Sequence, residues 1–223
     1  MQNLKRILAN TSLFRMLDEH QLDEVTSATQ PIRATTNTCV INQGDAPKGV
    51  YVVVYGQVKI GFDRKDGSEK TLAILGQNKC FGLGEMLLDR AHLAFVKTTT
   101  DSMIVHTTRE KVLEIAKDNF SFAQELMVCV GRQLYTLTRD IESYSLQTAK
   151  QRLAGYLLRQ SQYQAAECVE LIASKTLIAS RLSLTPETLS RLLHDFSSDG
   201  LITVMGRRIK ILDYERLGAL LSA

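Results

Sequence analysis

The chain lacks the residue groupings on which most metal, disulfide and covalent chemistry depends. Its four cysteines, Cys39, Cys80, Cys129 and Cys168, stand about forty residues apart with no CxxC pair. That spacing excludes a zinc finger, a disulfide ladder and the usual iron–sulfur motifs, and leaves core or surface thiols. No Ser/His/Asp or Cys/His set is apparent, and His92 and His106 lack the neighbouring histidines and carboxylate that an enzyme on a cupin-like roll would need, so the chain is not read as an enzyme. The lone GLGE at residues 82–85 has no βαβ context to make it a nucleotide-binding turn. No stretch approaches the ~20 apolar residues of a membrane span, and MQNLKRILANTSLF has cations but no sustained apolar run or small-residue cleavage site. The expectation is a soluble, cytoplasmic protein with no membrane partner.

At 223 residues and 44% hydrophobic content there is room for one large domain or two modest ones. The net charge of +3 is small, but its placement is informative. From Leu146 onward there are ten Lys and Arg against seven Asp and Glu, and the preceding residues balance at seventeen each. All of the cationic excess therefore lies in the C-terminal third.

Residues 4 to 29 are helical in character, with Leu13, Phe14, Leu17, Leu22 and Val25 apolar, and Pro31 is expected to end them. The period then changes. The runs CVINQGD, GVYVVVYGQVKIGF, KTLAILG and FVKTTTDSMIVHTT are β-rich and punctuated by Gly44-Asp45, Gly56, Asp66-Gly67 and Gly76, the pattern of a small antiparallel sandwich or roll. After Arg109 the pattern is helical and no proline interrupts it. Ala123, Met127, Val130, Leu134, Leu137, Ile141 and Tyr144 recur at alternating spacings of four and three, the seam of a coiled coil, which predicts a parallel homodimer through residues 123–144. Tyr144 to Thr148 reads as a hinge, followed by a helix over Ala149 to Tyr163.

The C-terminal third carries the most specific pattern. In SLTPETLSRLLHDF, Thr185 can cap a helix and Pro186 sits at its first position, where a missing N–H costs nothing. Leu189, Leu192, Leu193 and Phe196 form one stripe, while Glu187, Ser190, Arg191 and His194 fall on the other side. The short amphipathic segment SKTLIASRL precedes it across Ser183 and Leu184, so the pair reads as a helix-turn-helix whose second helix enters the DNA major groove. Gly200 stops that helix. LITVMGRRIKILD then alternates around Gly206-Arg207 as a hairpin wing, placing Arg207, Arg208 and Lys210 where a backbone phosphate can lie. Arg191 can contact guanine O6 and N7, Glu187 a cytosine amine and Ser190 a thymine or adenine, whereas Thr185 and His194 suit phosphate. A twofold pair of such helices reads half-sites ~34 Å apart, so the target should be palindromic.

Sandwich, long helix and winged helix, in this order from about residue 13 to 215, resemble the bacterial CRP/FNR superfamily of transcription regulators. The motif Glu187-Thr188-Leu189-Ser190-Arg191 matches the E-x-x-S-R recognition helix of its FNR branch. The resemblance implies an α+β protein: a cyclic-nucleotide-binding-like antiparallel β-roll over residues 1–108, a dimerisation helix over 109–146 and a winged helix-turn-helix over 147–223. It further implies a TTGAT-like half-site with an inverted copy four base pairs on, and RNA polymerase as the partner of an activator.

Gly84-Glu85-Met86-Leu87 resembles the segment that approaches the ribose and phosphate in cAMP-binding members, which places an effector near Gly84, Glu85, Met86, Arg90 and His92. The Arg-Ser pair that neutralises the cyclic phosphate in those members is replaced by His92 and Leu93, which argues against cAMP, since a buried phosphodiester would lack its guanidinium. The absence of any cysteine before Cys39 argues against the FNR iron–sulfur cube. What remains resembles the dissimilatory nitrate respiration regulator (DNR-like) branch, whose members are associated with haem and nitric oxide. His20, His92 and His106 are then the candidate iron ligands, with Met86, Met103 or Cys80 as partners. The mechanism this implies is an effector bound between the roll and the helix near Leu126 to Leu137, shifting the hinge and hence the spacing of the two reading faces. Two alternatives stand beside it: the same regulator switched by a cyclic nucleotide or other small organic ligand, and a dimeric ligand-sensing protein that does not bind DNA.

Overall fold

A computed structural model describes residues 2–164 and 168–221. The chain forms two compact units that part within one long helix, between residues 135 and 136. The first unit contains helices α1 (Gln2–Ala9) and α2 (Glu19–Ser27), strands β1 (Thr29–Ala34), β2 (Cys39–Ile41), β3 (Gly49–Tyr55), β4 (Val58–Asp63), β5 (Glu69–Leu75) and β6 (Cys80–Phe81), helix α3 (Leu83–Leu88), strands β7 (Phe95–Thr98) and β8 (Ser102–Thr108), helix α4 (Arg109–Asp118) and the start of α5 (Phe120–Leu146). The second contains the rest of α5, then α6 (Ala149–Gln164), β9 (Cys168–Glu170), α7 (Lys175–Arg181), α8 (Pro186–Ser198), β10 (Ile202–Met205), β11 (Arg208–Ile211) and α9 (Tyr214–Ala219).

Two four-stranded antiparallel sheets, ordered β1-β8-β3-β6 and β2-β7-β4-β5, make the roll. The apolar run GVYVVVY of β3 is buried on both faces, which explains why it does not alternate. Tyr51 and Val53 point between the sheets with Phe81, Val96 and Ile104. Val50 and Val52 point outward into a second cluster with Leu8, Phe14, Val25, Met86, Val112, Phe122 and Leu126 from the surrounding helices. The β4–β5 hairpin turns at Gly67, whose φ of 80° requires a residue that tolerates the left-handed region.

The N-terminal expectation needs two corrections. Residues 4 to 29 are not one helical stretch: Asp18 starts α2 with a capping box to Gln21, and the helix ends at Ser27. Pro31 lies inside β1, paired with Val105. Because β1 is an edge strand, a residue without an N–H loses no ladder bond on its open side. The helical region after Arg109 is likewise divided, at Asn119. The Asn119 side chain accepts a hydrogen bond from Phe122 N at 2.9 Å and donates to Gln21 at 2.7 Å, so it caps α5 and needs no proline to break the helix.

On α5 the roll-facing side is Phe122, Leu126 and Cys129. Of the residues assigned to a seam, Met127, Leu134, Leu137 and Ile141 are 58, 64, 52 and 66% exposed, whereas Val130 packs partly buried against the roll cluster and Ala123 is half-buried. In the second unit, α6, α7 and α8 pack with the three-stranded sheet β10-β11-β9 around Leu153, Leu157, Ile178, Leu193, Phe196 and Ile209. Among the described residues no helix is long and apolar enough to cross a membrane.

Candidate nucleic-acid interface and sensor site

Ser174 caps α7 by accepting from Leu177 N, and Leu182 and Leu184 N–H groups close its C-terminus onto Ile178 and Ala179 carbonyls. Ser183 makes the corner with a φ of +56°, a left-handed conformation in a non-glycine residue. Thr185 then caps α8 through its hydroxyl, accepting from Thr188 N at 3.2 Å, with Pro186 in the first turn. The cap uses this hydroxyl as an acceptor, and its O–H is directed to the Glu187 carboxyl. Leu189, Leu192, Leu193 and Phe196 are buried, while Glu187, Ser190, Arg191 and His194 are exposed on the opposite face. A bond from its own backbone N–H, then one from the Thr185 hydroxyl, holds the Glu187 carboxyl below the usual carboxylate range, so it stays a charged acceptor.

The wing is a hairpin with Met205 opposite Arg208 and Gly206 at a φ of 64°. Arg208 and Lys210 are exposed on the face opposite buried Ile209 and Ile211. Arg207 is partly committed, donating to the Leu171 carbonyl at 3.2 Å.

A polar clamp holds the corner of this helix pair. Tyr144, near the end of α5, donates to the Arg181 carbonyl, and the Arg181 guanidinium reaches both the Tyr144 hydroxyl and Asp140. Arg152 of α6 donates to the Leu182 carbonyl at 2.9 Å and to Gln147 O at 2.7 Å. Tyr144 therefore does not continue the exposed seam, which ends at Ile141, nor does it belong to a loose hinge. Burial raises its phenol pKa, keeping it a donor. The interruption between α5 and α6 is only Gln147 and Thr148, with Thr148 and Gln151 capping each other. Asp140, Arg152 and Arg181 were missed in the sequence. Asp140 and Tyr144 share one helix face at i, i+4, but nothing local pairs them with Arg181.

At the sensor end, Gly82 precedes α3 with a φ of 78°, and a side chain there would meet the Tyr51 ring at 3.1 Å. Gly84 borders open space and Glu85 is half-buried. Met86, however, is fully buried in the outer cluster between sheet and helices, so it is not an open effector contact. Arg90 is exposed. His92 is 4% exposed, its backbone held by Asp45 O and Gly44 N, and its Nδ1 is 3.9 Å from Glu85. Leu93 beside it is 73% exposed. A buried imidazole thus stands where the resemblance places a phosphate-binding arginine.

His106 packs on Tyr51 with ring centroids 4.6 Å apart, and burial pushes its pKa down. The Nε2 atoms of His92 and His106 are both buried without a partner. The sulfur candidates face elsewhere. Met103 is on the opposite face of β8 from His106 and lines an outer groove with Leu4, Ile7 and Arg33. Cys80 and Met86 belong to the outer cluster, and His20 is exposed on α2. The structure brings His92 and His106 near Tyr51 but pairs neither with a sulfur. Among the described residues there is no group of three or more His, Cys, Asp or Glu that could hold a metal ion.

Comparison with known proteins agrees with both units. The Cyclic nucleotide-binding domain family matches residues 31–119, and the Crp-like helix-turn-helix domain family matches residues 151–220. The chain is 25% identical over 219 residues to the CRP-like cAMP-activated global transcriptional regulator of Mycobacterium tuberculosis, covering 96% of this chain and 98% of that protein. Two solved structures share the fold. FixK2 from Bradyrhizobium japonicum has a TM-score of 0.79 at 23% identity, over 87% of this chain and 98% of that one. DNR from Pseudomonas aeruginosa has a TM-score of 0.52 at 29% identity, over 99% and 98%. With a cyclic-nucleotide-binding-type β-roll, a long helix and a C-terminal helix-turn-helix, the chain belongs to the CRP/FNR family of DNA-binding transcription regulators.

Proposed function

We propose that this regulator acts as a homodimer on a TTGAT-like palindrome and is switched by an effector of the β-roll. The observation that carries the reading is the face of α8, where Glu187, Ser190 and Arg191 stand exposed over a fully buried leucine stripe. Arg191 contacts guanine, Glu187 a cytosine amine and Ser190 a thymine or adenine, with His194, Arg208 and Lys210 on phosphate. The exposed row Met127, Leu134, Leu137 and Ile141 supports pairing with a second copy through α5. In this reading residues 1–108 sense, the helical region to 146 dimerises and 147–223 read DNA, with RNA polymerase as the activator's partner.

The switch operates through α5. A shift of that helix carries Asp140 and Tyr144, and these grip Arg181 at the corner of the helix pair. Movement at the seam is thereby converted into movement of the α8 face. The packing of the roll counts against haem with nitric oxide, the effector that the DNR-like resemblance implies. His92 and His106 offer nitrogen ligands, but the sulfur partners lie on the other side of the sheet, and Tyr51 stacks on Phe81 at 5.1 Å in the space beside them. Cyclic AMP lacks its guanidinium.

The test is fluorescence anisotropy of the purified protein on a TTGAT-N4-ATCAA duplex and on a scrambled duplex across a salt series. Tighter binding to the palindrome, with affinity falling as salt rises, is expected. Equal affinity for both duplexes refutes the palindrome, and no salt-dependent binding refutes the DNA-reading face. An anaerobic haem titration is expected to give no stoichiometric Soret shift.

A further inference from the structure

Two of the four thiols stand together. Cys80 lies on β6, a two-residue edge strand paired only with β3, and turns to the outer side of the sheet. Cys129 lies on the roll-facing side of α5, off the exposed seam, in the same apolar cluster as Val52 and Leu126. The two thiols share a hydrogen bond. Both are unbridged, and Cys129 is only 8% exposed. The structure therefore places one thiol from the sensor roll against one from the helix that leads to the DNA-reading unit.

We propose that Cys80 and Cys129 form a reversible disulfide in response to a small peroxide, pinning α5 to the roll and so making thiol oxidation an input to the switch. The chemistry of this site stands by itself, and its regulatory consequence rests on the DNA-reading function proposed above. The local electrostatics favour the reaction. The Cys80 S–H bond to the Cys129 sulfur lowers the Cys129 pKa to about 7, against burial and Glu125 and with help from Arg132 and Lys79. The same bond, with burial, raises the Cys80 pKa, so Cys80 keeps its proton. Cys129 is thus the attacking thiolate and Cys80 the resolving thiol.

The Cys129 thiolate attacks one peroxide oxygen, the O–O bond breaks and hydroxide leaves, taking up the proton that Cys129 lost on ionising to become the first water and giving a sulfenic acid. The Cys80 sulfur then attacks the Cys129 sulfur. The S–S bond forms, the S–O bond breaks, and the Cys80 proton departs with that oxygen as water. Two thiols are oxidised by two electrons, and one peroxide becomes two waters. Closing from hydrogen-bonded contact to an S–S length of ~2.05 Å needs a small shift, and β6, paired on one side only, is placed to make it. Thiol reductants reverse the bond. The low exposure of Cys129 selects for an oxidant as small as hydrogen peroxide.

The experiment treats the full-length protein with hydrogen peroxide, maps it by non-reducing peptide mass spectrometry, and measures palindrome binding before and after. A Cys80–Cys129 linked peptide that disappears with dithiothreitol is expected. So is a change in DNA affinity of about five- to 150-fold that is lost in Cys80→Ser and Cys129→Ser. Absence of the linked peptide from the oxidised wild-type protein, or linkage only through Cys39 or Cys168, overturns the proposal without reliance on any variant. A linked peptide with unaltered DNA affinity overturns the regulatory role while leaving the DNA-reading function intact. Failure of both reduced and oxidised protein to bind the duplex is instead the failure of that function.

Discussion

Replacing Leu134 with aspartate tests the seam directly. Leu134 is 64% exposed on the single chain, on the side of α5 turned away from Phe122, Leu126 and Cys129. Fully burying a leucine stabilises by about 1.5–3 kcal/mol, so covering the exposed fraction contributes about 1–2 kcal/mol per copy, or about 2–4 kcal/mol per twofold pair. At 1.4 kcal/mol per decade, Leu134→Asp should weaken dimerisation by about thirtyfold to a thousandfold, before counting the repulsion of two carboxylates brought together at the axis. Sedimentation equilibrium over a concentration series reads this constant. The comparison variant is Leu126→Ala. Leu126 is 4% exposed in the roll cluster, so its truncation should lower thermal stability, by about 2–5 kcal/mol, without a comparable effect on self-association. A Leu134→Asp protein with an unchanged association constant, or a wild-type protein that is monomeric at all concentrations, refutes the seam as a dimer interface.

Arg191→Ala should cost roughly 1–3 kcal/mol at one base pair of each half-site and flatten base preference there, measured by competition with single-position duplex variants. Arg208→Ala, on the wing, should instead weaken all duplexes alike and reduce the salt slope by about one. Tyr144→Phe removes one hydrogen bond to the Arg181 carbonyl and one to its guanidinium, and should destabilise the second unit by about 1–3 kcal/mol in urea titration; an unchanged midpoint counts against the clamp. His106 is half-buried with its pKa lowered by desolvation, so the unfolded chain takes up its proton first as pH falls. Its effect on stability is therefore complete above about pH 6.5 and is lost as pH drops from there through the folded value. His106→Gln should flatten the stability profile across that window, and an identical profile in both proteins disproves the assignment.

Much of the fold was legible because it is carried by local pattern. The α8 face was read in full, since Thr185, Pro186 and the spacing of Leu189, Leu192, Leu193 and Phe196 state a cap, a first turn and a buried stripe within fourteen residues. The Gly206 hairpin and the Asp66-Gly67 turn were legible for the same reason. Pro31 was misread because a proline is compatible with a helix end and with an edge strand, and only the pairing of β1 with β8 on one side decides between them. Asn119 was passed over because its capping bonds, unlike a proline ring, leave no mark in composition.

The sequence by itself determined the order of roll, long helix and helix-turn-helix, and which side chains of α8 stay exposed over its buried stripe, because periodicity and capping act over a few residues at a time. Only the tertiary structure decided which distant groups meet: Tyr144 and Arg152 on the carbonyls of Arg181 and Leu182, Met86 in the outer cluster between sheet and helices, His92 buried next to Glu85, and Cys80 against Cys129. Those contacts join residues far apart in the chain, and their chemistry exists only once two sheets and a helix have packed. A cysteine spaced about forty residues from the next one looks inert until folding closes that distance to a hydrogen bond.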